Sequence, residues 1–257
     1  MTEIHGLSDT GDVRAHNEDD FLIDRALGLA AVADGMGGHM AGEVASAGAL
    51  AALHAYLAAP PGHAKPIPDD DAADPDATAV NQRWRHTAAL LRAVERANAA
   101  LYAENRERGH ADGSGMGCTL TGIQTLPGMD AFVAFHVGDS RLYRWRDGVL
   151  TQLTRDQTAY QLALESDAPG ALPPHNLLLQ AVGPAAVVTP DIALHAVQKD
   201  DVLLLCSDGL HGWVPHAELE QWVGQSSLPL PALCGELIAL AKRHRSRDNI
   251  TALLLRF

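Results

Sequence analysis

Residues 30 to 38 read Ala-Ala-Val-Ala-Asp-Gly-Met-Gly-Gly, an apolar run that stops at Asp34 and passes directly into a glycine-rich turn. A strand buried on both faces is apolar throughout, and a carboxylate is tolerated only where the strand leaves the core and its charge finds a partner. Gly35, Gly37 and Gly38 remove Cβ atoms from the turn, so the backbone can bring a carbonyl oxygen close to a bound ion. Taken alone, Asp-Gly after a strand is first of all a turn signal. The pattern recurs, however. Val202-Leu-Leu-Leu-Cys-Ser-Asp208-Gly209 repeats it, Ala134-Phe-His-Val-Gly-Asp139 ends another predicted strand in aspartate, and Asp248 precedes Ile250-Thr-Ala-Leu-Leu-Leu. Aspartates gathered at the mouths of buried strands repel one another unless a positive charge sits among them.

A divalent cation supplies that charge. Oxygen-only ligands select Mg²⁺, Mn²⁺ or Ca²⁺ over zinc, and the absence of EF-hand spacing disfavours calcium. Two Mg²⁺ or Mn²⁺ ions sharing a carboxylate lower the pKa of a bridging water and hold a phosphoryl oxygen, which is the chemistry of phosphate-ester hydrolysis. The planar fork of Arg14 matches two phosphate oxygens, and Asn249, beside Asp248, is placed to orient a water.

The chain of 257 residues, with 47% hydrophobic residues and no second Gly/Pro-rich linker, is read as a single domain over 1–257. Its formal charge of -13 argues against nucleic acid or an anionic membrane as a partner. Cys118, Cys206 and Cys234 are too few and too far apart for a disulfide framework or a zinc knuckle and are expected to be buried. There is no signal peptide pattern and no long apolar run, so the expectation is a soluble, cytoplasmic protein.

In chain order, the polar segment from Leu7 to Asp20 leads into a strand at Phe21-Leu-Ile, and its charges read first as a solvated loop. Ala41 to Leu57 carries Leu50, Leu53 and Leu57 at helical spacing. Residues 60 to 80 hold five prolines and five aspartates and are predicted to be an exposed loop. A second helix is predicted from Arg85 to Arg106, with Leu90, Leu91, Val94, Ala97 and Leu101 facing the core. Consecutive strands follow at Gly117 to Gln124, Ala131 to Val137 and Arg141 to Trp145, the last turning at Asp147-Gly148. Residues 157 to 183 read as a loop; strands at Ile192 and Val202, a short helix near Glu218, a longer one from Pro231 and a closing strand complete the chain. This order predicts an α+β fold of antiparallel sheets packed face to face with helices outside.

Rival motifs fail. Gly37 to Gly42 has phosphate-loop glycine spacing, but Glu43-Val44 replaces the required lysine and hydroxyl residue. Neither a Gly-x-Ser-x-Gly elbow nor a His-Glu-x-x-His motif occurs. His16, His39 and His211 lie near the proposed site and read as surface or hydrogen-bonded histidines.

The collinear set Arg14-x-x-Asn17-Glu18-Asp19, Val32-Ala-Asp34-Gly35-Met-Gly37-Gly38, Gly117-Cys-Thr119, Val137-Gly-Asp139-Ser140-Arg141, Cys206-Ser-Asp208-Gly209-Leu and Arg247-Asp248-Asn249 resembles the bacterial branch of the type 2C metal-dependent protein phosphatases. The resemblance spans residues 8 to 256 and implies a four-layer αββα sandwich with two Mn²⁺ or Mg²⁺ ions in the cleft at one end. It implies that Asp34 bridges both metals, that Gly35 gives its carbonyl to one, and that Asp208 and Asp248 complete the other. Glu18 and Asp19 would hold metal-bound waters, Arg14 the substrate phosphate, Asp139 with Asp208 a weaker third metal, and Asn249 a water. Met36 stands where animal members place a histidine proposed as general acid, and Gly212 where many members have an aspartate. Residues 157 to 183 resemble the family's mobile flap.

The implied activity is hydrolysis of phosphoserine and phosphothreonine by direct attack of metal-bound water. The implied partners are phosphorylated proteins and an opposing Ser/Thr kinase, with the chain acting as a monomer. The alternative is a low-activity phosphoprotein-binding module of the same fold; action on small phosphoesters is a third reading.

Overall fold

The computed structural model describes residues 3–37, 41–59, 75–166, 170–225 and 227–257, with backbone alone over 75–82. In chain order the elements are β1 (Glu3–Asp9), β2 (Asp19–Asp24), β3 (Leu29–Met36), α1 (Ala41–Ala58), α2 (Pro75–Glu107), β4 (Gly117–Cys118), β5 (Leu120–Thr125), β6 (Ala131–Val137), β7 (Arg141–Arg146), β8 (Val149–Gln152) and α3 (Ala159–Glu165). They continue with β9 (Asp191–Ala196), β10 (Val202–Cys206), α4 (Asp208–His211), α5 (His216–Val223), α6 (Leu230–Arg243) and β11 (Ile250–Arg256).

The strands form two antiparallel sheets, ordered β1-β11-β10-β7-β8 and β2-β3-β5-β6-β9, with β4 paired to the end of β3. Period-2 alternation explains why the central strands are apolar throughout. On β10, Leu203 and Leu205 point to the facing sheet, where they join Leu253 and Leu255 of β11 against Ala30, Val32, Ile123 and Phe132. Leu204 and Cys206 point the other way, under α5 and α6. On β3 the same rule sends Leu29, Ala31 and Ala33 under α1 and α2. Each inner strand thus buries both faces, and the result is the αββα sandwich expected from the sequence.

The alanines of α1 serve close packing. Ala45, Ala49, Leu50 and Leu53 are buried, together with Leu90, Ala93, Val94, Ala97 and Leu101 of α2. Leu91, predicted to face the core, is 37% exposed, because the buried stripe runs through Ala93 instead. The hairpin at 147–148 has φ of 51° at Asp147 and 85° at Gly148, the left-handed pair that a two-residue turn matching strand twist demands.

Three predictions are corrected. Of the loop expected at 60–80, residues 60–74 lie outside the described residues, and α2 already begins at Pro75, ten residues before Arg85. A proline in the first turn costs a helix nothing, since that N–H has no intrahelical partner. The segment 157–183 is not loop throughout, for it contains α3, capped by Thr158, whose side chain accepts from Gln161 N–H. The N-terminal segment, in which no strand was predicted before Phe21, opens with β1, paired along its length to β11. Cys118, Cys206 and Cys234 are free and buried as expected. Among the described residues no helix is long and apolar enough to cross a membrane.

Candidate active site

Strand register gathers the aspartates. β2 and β3 pair with Asp19 opposite Asp34. In the other sheet, Cys206 at the end of β10 faces Ala252 near the start of β11, so Asp208 and Asp248 leave the sheet on the same side. Asp34 is fixed through its backbone, since its N–H donates to Thr119 Oγ1 at 2.9 Å and its carbonyl accepts from Thr119 N–H at 2.8 Å. Gly35 N–H donates to the Glu18 carbonyl at 3.0 Å. A Cβ on Gly35 would lie 2.1 Å from the Gly42 carbonyl oxygen and 2.6 Å from that of Glu18, so only glycine lets the start of α1 press against the strand exit here.

Asp19 is 7% exposed, and its Oδ2 accepts from Ser207 Oγ at 2.6 Å and Thr251 Oγ1 at 2.7 Å. Its Oδ1 is buried with no partner, and so is Oδ1 of Asp208. Burial pushes the Asp19 carboxyl up to about 7, with Asp208 and Asp248 adding repulsion against the two hydroxyl hydrogen bonds. Burial and then Asp208 and Asp156 raise Asp139 to about 7. Asp208 rises to about 6 through burial and then Asp248, opposed by a hydrogen bond with Asp34 and by Arg14. Asp34 is raised well above the usual carboxylate range by burial, then by Asp19, Asp208, Asp139 and Asp248.

This donor set fits a hard divalent cation. It offers carboxylate and carbonyl oxygens, two of them buried without a donor, in a cluster whose mutual repulsion a cation would relieve. Among the described residues no three acidic, histidine or cysteine side chains already close into an ion cage. The hydrogen bonds account for part of that spacing: Arg14 Nη2 holds Asp248 Oδ2 at 2.7 Å, and Ser207 and Thr251 hold Asp19. An ion at Asp248 therefore competes with Arg14.

The metal-free chain should show this repulsion in its pH dependence. Asp19, Asp139 and Asp208 titrate near 4 when unfolded and near 6 to 7 when folded, so the folded state holds more protons between those values and stability falls as pH rises through the window. Thermal melts in chelator should give a higher midpoint at pH 5 than at pH 7.5. A midpoint rising across that window would contradict the assignment.

Asn249 is held by three backbone groups. Its Oδ1 accepts from Glu18 N–H at 2.8 Å, and its Nδ2 donates to the Thr10 and His16 carbonyls, both at 2.9 Å. These partners fix the amide's orientation and use both its protons, so Asn249 braces the Arg14–Glu18 segment rather than donating to a water. Arg14 itself is half exposed at the rim. Asp139 lies at the side of the cleft, where its carbonyl accepts from His211 Nε2 at 2.9 Å. His211 is kept neutral, its pKa pushed down to about 3 by burial first and by Arg141 second. His39 and Gly38 lie outside the described residues. Reading the sequence missed Ser207 and Thr251, and gave Thr119 no role; the visible signal was hydroxyl residues flanking the aspartates or facing them on alternate strand positions. Beside Asp139 and Asp208 lies a cavity of about 570 Å³ walled in part by α3.

The chain matches the Protein phosphatase 2C family over residues 12–232. The serine/threonine phosphatase stp of Listeria innocua is 33% identical over 96% of this chain and 93% of that protein. The crystal structure of the Mycobacterium tuberculosis serine/threonine phosphatase PstP/Ppp is similar with a TM-score of 0.79 and 31% identity, covering 100% of this chain and 98% of that one. The catalytic domain of PstP solved in complex with 2 manganese ions gives a TM-score of 0.77 at 32% identity, over 99% of this chain and 97% of that one. The chain belongs to the protein phosphatase 2C family.

Proposed function

We infer that this chain is a metal-dependent phosphoserine/phosphothreonine protein phosphatase, hydrolysing the monoester in the acidic cleft. The observation that carries this reading is the convergence of Asp19, Asp34, Asp208 and Asp248 with two buried carboxylate oxygens left unpaired. Asp34, the Gly35 carbonyl, Asp208 and Asp248 would hold two Mn²⁺ or Mg²⁺ ions, Glu18 and Asp19 would reach them through water, and Asp139 would take part in a weaker third site. Bound there, the ions supply Lewis acidity that activates water and offsets phosphoryl charge.

The chain's own groups do the positioning. Thr119 pins the Asp34 backbone, while Ser207 and Thr251 hold one oxygen of Asp19 and leave the other buried without a partner. Arg14 exchanges Asp248 for the substrate phosphate, where its fork satisfies two oxygens. Met36 has no proton to give the leaving alkoxide. The nearby thiols of Cys118 and Cys206 are pushed up by burial and are poor nucleophiles, which favours direct attack of water on phosphorus. We take the partners to be phosphorylated proteins and a Ser/Thr kinase whose action is reversed. The chain is taken as a cytoplasmic monomer that binds neither nucleic acid nor membrane.

The Arg14–Asp248 pair also favours a second reading, a phosphoprotein-binding module in which that pair persists and turnover is poor. Arg14→Ala separates the two. As a phosphatase the variant should show a KM for a phosphothreonine peptide raised by about 10-fold to 100-fold, with a smaller change for p-nitrophenyl phosphate. Tight peptide binding without phosphate release in the unaltered chain would favour the binding module.

A further inference from the structure

The exit of β3 is one edge of a short ribbon of three extended segments. Gly35 lies opposite Cys118 of β4, and Met36 opposite Gly117. Cys118 turns its backbone groups away from Gly35, since its N–H donates to the Val182 carbonyl at 3.0 Å and its carbonyl accepts from Val182 N–H at 2.9 Å. Antiparallel pairing alternates residues that bond each other with residues that bond outward, so the N–H and carbonyl of Gly35 face away from β4. The N–H bonds the Glu18 carbonyl. The Glu18 N–H that could meet the Gly35 carbonyl is taken by Asn249 Oδ1, which leaves that carbonyl unclaimed by the segment before β2.

The far side of the ribbon is held by α2. Asn98 and Asn105 stand two helical turns apart on one face of α2 and are 2% and 1% exposed. Asn105 Oδ1 accepts from Met116 N–H at 2.9 Å, and its Nδ2 donates to the Met116 carbonyl at 2.7 Å and to the Gly183 carbonyl at 3.0 Å. Asn98 Oδ1 accepts from Gly183 N–H at 2.8 Å, and its Nδ2 donates to the Ala185 carbonyl at 3.0 Å. Asn105 therefore joins the segment leading into β4 to the segment after Val182, whereas the side chain of Asn98 holds the second segment alone. Gly183 has φ of 112°, and a Cβ there would lie 2.9 Å from the Met116 carbonyl oxygen, so the two segments meet where only glycine fits. Every hydrogen-bonding group of the Asn105 amide is engaged by backbone, which fixes the side chain and leaves it no role toward solvent.

We propose that Asn105 is a positioning residue for the metal centre: by fixing β4 between the segment after Val182 and the exit of β3, it sets the direction in which Gly35 presents its carbonyl to an ion. It acts through β4 and touches neither ion nor substrate. The proposal rests on the metal-dependent phosphatase reading and extends the support of that site into α2.

The test is Mn²⁺ binding measured by calorimetry on the unaltered chain and on Asn105→Ala, Asn105→Ser and Asn98→Ala, each with its thermal midpoint in chelator. Both alanine variants leave buried backbone groups unpaired, so both should melt lower than the unaltered chain. Only Asn105→Ala should also raise the Mn²⁺ Kd, by about tenfold, as loss of a group that orients a ligand does. Asn105→Ser, whose hydroxyl can still bond one Met116 group, should fall between, and it supplies the comparison if the alanine variant does not fold. At saturating Mn²⁺ the Asn105 variants should recover turnover of a phosphothreonine peptide with KM unchanged, because no substrate contact has been removed. An unaltered Mn²⁺ Kd in the Asn105 variants would overturn the proposal, and so would an equal weakening in Asn98→Ala, which would mark a general loosening of the fold. If the unaltered chain takes up no Mn²⁺, the metal reading falls and the proposal with it. If it takes up Mn²⁺ and releases no phosphate, the phosphatase reading falls while the Kd values still decide the role of Asn105.

Discussion

Asp34→Asn should lower turnover of a phosphothreonine peptide by about 10³-fold or more, because the residue expected to bridge both ions loses half its charge-bearing oxygens and its anionic character. The same substitution should stabilise the metal-free chain. Asp34 is desolvated and repelled by Asp19, Asp208, Asp139 and Asp248, so a neutral amide of equal size removes a penalty that the carboxylate carries. A structural role for Asp34 predicts the opposite, a loss of stability with loss of activity. Thermal melts in chelator and in Mn²⁺ separate the two accounts. The variant should melt higher than the unaltered chain in chelator and gain less from Mn²⁺, since stabilisation by a ligand tracks its affinity for the native state. A midpoint lowered in chelator would contradict the electrostatic account.

Gly35→Ala should be strongly damaging. The added Cβ meets the Gly42 carbonyl oxygen at 2.1 Å, its carbon at 2.5 Å and the Glu18 carbonyl oxygen at 2.6 Å, all of them backbone. No flexible side chain can give way, so β3 and the start of α1 must part or the Asp34–Gly35 peptide must rotate. We expect a loss of about 2–4 kcal/mol. For a chain of this size that is a fall of roughly 4–16 °C in Tm. Turnover should fall further, because the displaced peptide carries the carbonyl expected to face an ion. Gly235→Ala in α6 is the control, since its Cβ would meet nothing within 4 Å and helix propensity favours alanine. Equal melting of the two variants would show that the close approach at Gly35 is not a constraint.

Much of this architecture is written in local pattern. The run from Leu29 to Ala33 is apolar because alternate residues serve two different cores, and its abrupt end at Asp34 marks the cleft. Asp147-Gly148 specifies its hairpin through two left-handed residues. What escaped was set by partners distant in sequence or by elements too short for a period. β1 has polar residues among its apolar ones and is defined by its register with β11. α4, which carries Asp208, has only four residues. α3 did advertise itself, since Thr158-Ala-Tyr-Gln161 is the hydroxyl-x-x-glutamine pattern of a helix start, but the surrounding prolines and glycine masked it.

The cleft divides in the same way. Asp34, Asp208 and Asp248 stand out because each breaks or flanks a hydrophobic run, and strand register explains why they meet. The supporting hydroxyls of Ser207 and Thr251 converge on Asp19 from positions 188 and 232 residues away, and no local pattern reports such a contact. The amide of Asn249 likewise meets three backbone groups of the distant N-terminal segment.

The most direct test is phosphate release from a phosphothreonine peptide by the purified chain, measured with Mn²⁺, after chelation, and after Mn²⁺ is restored. Release that is present with the ion, abolished by chelator and recovered on restoration is the predicted result. Release that persists undiminished in chelator would contradict the metal-dependent mechanism, and bound Mn²⁺ without release would contradict the assignment as a protein phosphatase.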